Sequence, residues 1–169
     1  MEAERYRSYR EVLTETARRV AARLGWPLPE SHAGFLARSV PNWPPFPDTN
    51  RALLRLVGAG YRLGILSNVD DDLLMWTRRH LAAFFEIVVT AQQVGSYKPA
   101  PGHFTTARGL VGAQPWLHAA QSYFHDVAPA RALSIPVAWI NRKAETAPDG
   151  GKADFEFRTV VGLAEWLAP

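Results

Sequence analysis

The sequence predicts an α/β protein built on a doubly wound parallel sheet, and three observations carry that prediction. Short apolar runs recur at Leu63 to Leu66, Ile87 to Thr90 and Pro136 to Ile140; runs of this length bounded by polar turn residues read as strands buried on both faces. Amphipathic, helix-length stretches separate them, and a β-α-β-α alternation implies parallel strands joined by crossover helices. The runs also end abruptly in polar residues. Leu63-Gly64-Ile65-Leu66 gives way to Ser67-Asn68-Val69-Asp70, and in an open α/β sheet ligands bind just beyond the carboxyl ends of such strands. The Ser67 hydroxyl and the Asn68 amide are placed there to donate hydrogen bonds, or they form a simple turn.

Residues 4 to 24 read as an amphipathic helix, with Tyr6, Tyr9, Leu13, Ala17, Val20 and Leu24 at spacings of three and four. Gly25 and Pro27 end it. Ser31 to Val40 is a shorter helix with Phe35 and Leu36 inward. Pro41-Asn42-Trp43-Pro44-Pro45-Phe46-Pro47 is too proline-rich for regular structure and stiffens a connection; Trp43 and Phe46 line a cleft or fill a hinge. Asp48 is the expected cap of a helix over 49–58, packing Leu53, Leu54 and Val57. A strand over 61–66 follows, then a helix over 71–81 capped by Asp70 or Asp71. The strand 86–90, a helix over 102–112 opened by Pro101, the strand 116–121, a helix over 126–133 and the strand 136–140 come next. A polar Gly/Pro loop over 143–153, a short strand over 155–157 and a helix over 159–168 close the chain.

At 169 residues the chain holds one domain, or a core plus a small appendage. Its 47% hydrophobic and 21% charged content is that of a soluble globular protein. With no cysteine, disulfides and thiolate chemistry are excluded. No apolar run approaches membrane-spanning length and the first residues do not resemble a secretion signal, so a cytoplasmic location is expected. The net charge of +3 comes from scattered basic residues. That pattern predicts no nucleic-acid or membrane partner and mildly favours a small anionic substrate.

Three strand ends deliver polar groups in succession. They are Ser67-Asn68, then Val94-Gly95-Ser96-Tyr97-Lys98-Pro99, then Gln121-Ser122-Tyr123-Phe124-His125-Asp126. Their order and spacing resemble the second, third and fourth motifs of the haloacid dehalogenase-like (HAD) hydrolase superfamily. The resemblance is nearer to its 2-haloacid dehalogenase branch through Leu-Ser-Asn-Val-Asp (66–70), Gly-Ser-Tyr-Lys-Pro (95–99) and Trp-Ile-Asn-Arg (139–142). It runs from about residue 48 to the end. It implies a Rossmann-like core over 46–169 and a helical cap remnant over 1–45.

Members of that family attack substrate with an aspartate at the end of the sheet's first strand, set in Asp-x-x-Gly-Thr or Asp-x-Asp-x-Thr. The aspartyl ester is then hydrolysed by water. No apolar strand of this sequence ends that way: Asp48-Thr49-Asn50 follows a proline-rich loop, Asp70 to Asp72 follow the second motif, and Asp149-Gly150-Gly151 lies in a polar loop. The expectation is a core lacking its first central strand, between the strands ending in Ser67 and Gln121. The chain is then truncated and inactive alone, or it is a degenerate, non-catalytic pseudo-hydrolase that binds a ligand or partner. The gap is closed, tolerated, or filled by a strand-complementing partner. A homo-oligomer contact through Tyr6 and Tyr9 is a further expectation.

By resemblance, Ser67 binds a substrate carboxylate or phosphoryl oxygen, with Asn68 beside it. Lys98 holds the nucleophile's charge and the negative charge that develops, and Asp126 positions Lys98 or activates water. Lys98→Ala is expected to abolish turnover with the fold intact. Phosphatase members carry a magnesium-binding acid where this chain has Gln121, a poor magnesium ligand. No metal and no cofactor are therefore expected, and a phosphatase is the weaker reading. Dehalogenases have asparagine and tryptophan where Tyr123 and His125 stand; with Gln121 and Ser122 these residues are expected to shape the substrate pocket. His32, His80, His103 and His118 show no metal-ligand spacing.

Overall fold

The computed structural model describes residues 6–169. The first helix, α1 (Tyr9–Leu24), begins later than its apolar periodicity suggests because Ser8 caps it. The Ser8 side chain accepts from the Glu11 amide, and the Glu11 carboxylate accepts from the Ser8 N–H at 2.8 Å. Such reciprocal capping fixes a helix start more firmly than propensity does. Residues 4 and 5 of the expected helix lie outside the described residues. Gly25 ends the helix in the left-handed conformation at φ 63°. Leu13, Ala17 and Ala21 form the buried stripe, while Val20 and Leu24 face solvent. The expected helix over 31–40 is instead a broken segment: a 3₁₀ turn, α2 (Phe35–Ser39) and a second 3₁₀ turn. Ala37 is buried in it, whereas Phe35 turns outward against Trp26.

The sheet is wholly parallel but comes in two pieces. β1 (Gly64–Ser67) pairs with β2 (Ile87–Thr90). β3 (His118–Ala120), β4 (Val137–Ile140) and β5 (Phe155–Phe157) form the second piece in that order. Among the described residues no ladder joins β1 to β3. The expected strand over 61–66 starts later. Tyr61 is spent closing α3 (Thr49–Gly58): its N–H donates to the Leu56 carbonyl and its hydroxyl to the Leu167 carbonyl.

α3 buries Ala52 and Leu56 against α8 (Val160–Leu167), leaving Leu54 and Val57 exposed. Its apolar face is thus one position away from the expected set. Asp48 precedes α3 without capping it; its carboxylate binds the Arg142 guanidinium at 3.0 Å, and that guanidinium lies over the Phe46 ring. Trp43 and Phe46 therefore belong to the connection, not to a cleft. α4 (Asp71–Arg78) buries Leu73 and Leu74 and ends before residue 81. A short α5 (Ala91–Val94), unforeseen in the sequence, follows β2, and α6 (Gly102–Val111) follows Pro101. The expected helix over 126–133 is a π-turn, Tyr123–Val127, running into α7 (Ala128–Ala132).

One apolar cluster, with Phe104, Val127, Val137 and Trp139 at its centre, packs Leu66 of β1 against the β3–β5 piece. A second joins Leu13, Ala37 and Val40 to Val69, Leu73 and Leu74, seating the N-terminal helices on α4. Phe104 is fully buried between the two sheet pieces. Phe104→Ala should lower stability by about 3–5 kcal/mol; Phe84→Ala, on an exposed ring, should change it by under about 0.5 kcal/mol. Urea denaturation of both variants measures the contrast.

Candidate active site

β1, the loop after α5 and the π-turn after β3 bring three of the expected side chains to one place. Asn68 follows β1 and grips the backbone of Lys98 from both sides. It accepts the Lys98 N–H at 2.7 Å and donates to the Lys98 carbonyl at 3.0 Å. The lysine stem is thereby aimed inward, and its Nζ donates to the Leu66 carbonyl at 2.8 Å and to Asp126 Oδ1 at 2.6 Å. Both side chains of this ion pair are only 8% exposed. The π-turn supplies the carboxylate. Ser122 caps it, accepting the His125 N–H, and the wider turn carries Asp126 inward.

The sequence offered no sign of a third partner. His118, on β3, places its Nε2 2.9 Å from the same Asp126 oxygen. His103, fully buried on α6, donates from Nε2 to the Ser67 carbonyl at 3.0 Å, and its Nδ1 has no partner. Spacing rules for metal ligands pass over both residues, because each meets one charged or carbonyl partner through the fold.

Beside the ion pair is a cleft of about 420 Å³ lined by Tyr9 and Val12 of α1, Asn68, Tyr97, Lys98, Ser122, His125 and Asp126. Ser122 Oγ lies 3.0 Å from His125 Nδ1. Asn68, Lys98, Asp126, Ser122 and His125 thus converge as expected. Ser67, Gln121 and Tyr123 do not line the cleft. Ser67 is held through its carbonyl. Gln121 accepts Trp139 Nε1–H at its carbonyl and points its amide to Glu145. Tyr123 is buried against Trp139 and donates to Asp149.

The wall from α1 is fixed by a residue expected to do something else. Asp70 stands at the start of α4 but makes no side-chain bond there. Its carboxylate accepts the Tyr9 and Arg10 N–H groups at 2.7 and 2.9 Å, at the N-terminus of α1, where amides are unpaired and the helix dipole favours an anion. Tyr97 donates to the Arg7 carbonyl, and Tyr6 stacks on Tyr97. Tyr6 and Tyr9 are therefore turned toward the cleft wall.

Burial pushes the Asp126 carboxyl up, but the His118 hydrogen bond and the Lys98 charge outweigh it and hold the group below its ordinary value. Burial drives His103 down, with the Lys98 charge adding to it against the Ser67 bond. Burial, with Tyr6 and Asp70 nearby, raises the Tyr97 phenol. Among the described residues no group of three or more His, Asp or Glu side chains is placed to hold a metal.

A depressed histidine contributes stability that is present above its unfolded pKa of about 6.5 and lost as pH falls toward the folded value; a depressed aspartate does the same below about 3.9. Urea midpoints should therefore fall in two phases on acidification, and His103→Phe should remove the phase that begins near pH 6.5. Because both ions are buried, Lys98→Met should also cost about 3–5 kcal/mol by leaving Asp126 without its cation.

No family model matches the sequence. Over 105 residues the chain is 32% identical to haloacid dehalogenase-like hydrolase domain-containing protein 3 of Danio rerio, covering 60% of this chain and 43% of that protein. It is 38% identical over 74 residues to a glyceraldehyde 3-phosphate phosphatase of Methanothermobacter thermautotrophicus, covering 42% of this chain and 32% of that one. It is 24% identical over 167 residues to an (S)-2-haloacid dehalogenase of Pseudomonas putida, covering 96% of this chain and 74% of that protein. The chain thus spans less than half the length of the first two relatives. Among solved structures, an L-2-haloacid dehalogenase from Xanthobacter autotrophicus with chloropropionic acid covalently bound superposes with a TM-score of 0.84 at 21% identity, over 96% of this chain and 76% of that one; at that identity the likeness is one of fold. With the three strand-end motifs in order and the parallel α/β fold, these likenesses relate the chain to the haloacid dehalogenase-like hydrolases.

Proposed function

We propose that this chain holds the anion-binding and charge-balancing part of a metal-independent hydrolase that acts on a small (halo)acid through an aspartyl ester. The observation that carries the reading is the buried Lys98 ammonium, bound by Asp126 and the Leu66 carbonyl at the wall of an apolar-sided cleft. A cation fixed in a low-dielectric site stabilises negative charge far better than one in water. Tyr9, Val12 and Tyr97 suit a substrate with a short apolar body, and Lys98 suits its anionic end. The neutral Gln121 in place of an acid supports the metal-free branch. No aspartate of these 169 residues follows an apolar strand in the nucleophile motif, so in this reading the attacking carboxylate is not one of them.

The test compares this chain with the same chain preceded by an apolar strand ending in Asp-x-x-Gly-Thr. Chloride release from (S)-2-chloropropionate is expected from the second and not the first, and Lys98→Ala in the second should lower it by at least about 1000-fold. Magnesium-dependent turnover of p-nitrophenyl phosphate in place of chloride release would reject the haloacid reading in favour of the phosphatase kinship. Failure of both activities would leave the binding-module reading.

A further inference from the structure

The hydrolase reading gives Asp126 a role but does not say which of its oxygens can act. Oδ1 takes both the Lys98 ammonium at 2.6 Å and His118 Nε2 at 2.9 Å. No hydrogen bond among the described residues reaches Oδ2. Nor is Oδ2 sealed, since the one buried side-chain polar atom left without a partner among those residues is His103 Nδ1. Asp126 lines the cleft, so Oδ2 is the face it presents there. Lys98 alone cannot impose this arrangement, because an ammonium is a rotatable point donor that binds either oxygen of a carboxylate. His118 can. Its ring is held on β3 with the Phe104 ring edge-on at 5.2 Å, and its N–H has a single direction.

We propose that His118 is a positioning residue for Asp126: by donating to Oδ1 it fixes the rotation of the carboxylate and leaves Oδ2 as the basic atom facing the cleft. This rests on the hydrolase reading for its use but not for its geometry. The role requires the tautomer with the proton on Nε2. The other titratable groups at this point are Lys98, which shares the oxygen, and His103, whose Nε2 is committed to the Ser67 carbonyl.

The test is made on the 169-residue chain with labelled histidine and aspartate, followed by NMR. In the wild type, His118 should carry its proton on Nε2, and its resonances should shift in Asp126→Asn. His118→Gln keeps an N–H donor at nearly the same place and should leave the Asp126 titration close to that of the wild type. His118→Phe keeps a ring against Phe104 but no donor, and should raise the Asp126 midpoint by about one pH unit. A merely space-filling histidine gives the opposite pattern. An unmoved midpoint in His118→Phe, or an equal shift in both variants, overturns the proposal. If neither variant folds, a wild-type His118 bare at Nε2 overturns it. In the strand-supplemented protein His118→Phe should lower kcat more than it raises KM. The expected NMR pattern without chloride release would reject the hydrolase reading and leave the positioning role standing.

Discussion

A lysine enclosed in the middle of an α/β core is the constraint on which the rest of this molecule depends. An unpaired buried ammonium is too costly to persist, so the fold must surround Lys98 with acceptors. Leu66 offers a carbonyl at the end of β1, and Asp126 offers a carboxylate from the far sheet piece. Each requirement then spreads outward. Asn68 must grip the lysine backbone, the π-turn must carry Asp126 inward, and His118 must share the carboxylate. Replacing one member leaves another charge stranded, which is why the cluster binds distant segments of the chain into one arrangement.

The N-terminal helix belongs to the same arrangement. Its buried stripe rests on α4, and its unpaired amides are closed by the Asp70 carboxylate two residues beyond Asn68. One short stretch, Asn68 to Asp70, therefore sets both the floor of the cleft, through Lys98, and its roof, through α1. A cleft whose opposite walls are anchored two residues apart keeps its width without a rigid hinge.

Much of this was legible in the sequence because the fold delivers strand ends to one edge. Asn68, Lys98 and Asp126 could be placed together from the order of the strand ends, and the parallel sense of the β1–β2 and β3–β4 ladders followed from their alternation with helices. What stayed hidden was set by contacts distant in sequence. Asp48 and Asp70 both have the chemistry of helix caps, yet each is claimed by a far partner, Arg142 in one case and the start of α1 in the other. His118 sits in an apolar strand where a histidine carries no local signal; its meaning comes from the turn that swings Asp126 back against it. The face of α3 was misread by one position because Ala52, too small to mark an apolar stripe, is what lets α8 approach closely.

β1 and β3 meet through side chains, with no peptide ladder between them. Leu66 packs into the shared cluster, His103 reaches the Ser67 carbonyl, and the Phe104 ring stands against His118. Side-chain seams lack the directional register of a hydrogen-bonded ladder. Each half can therefore breathe without breaking the other's backbone bonds, and amide exchange would divide the molecule along this seam rather than protect it as one block.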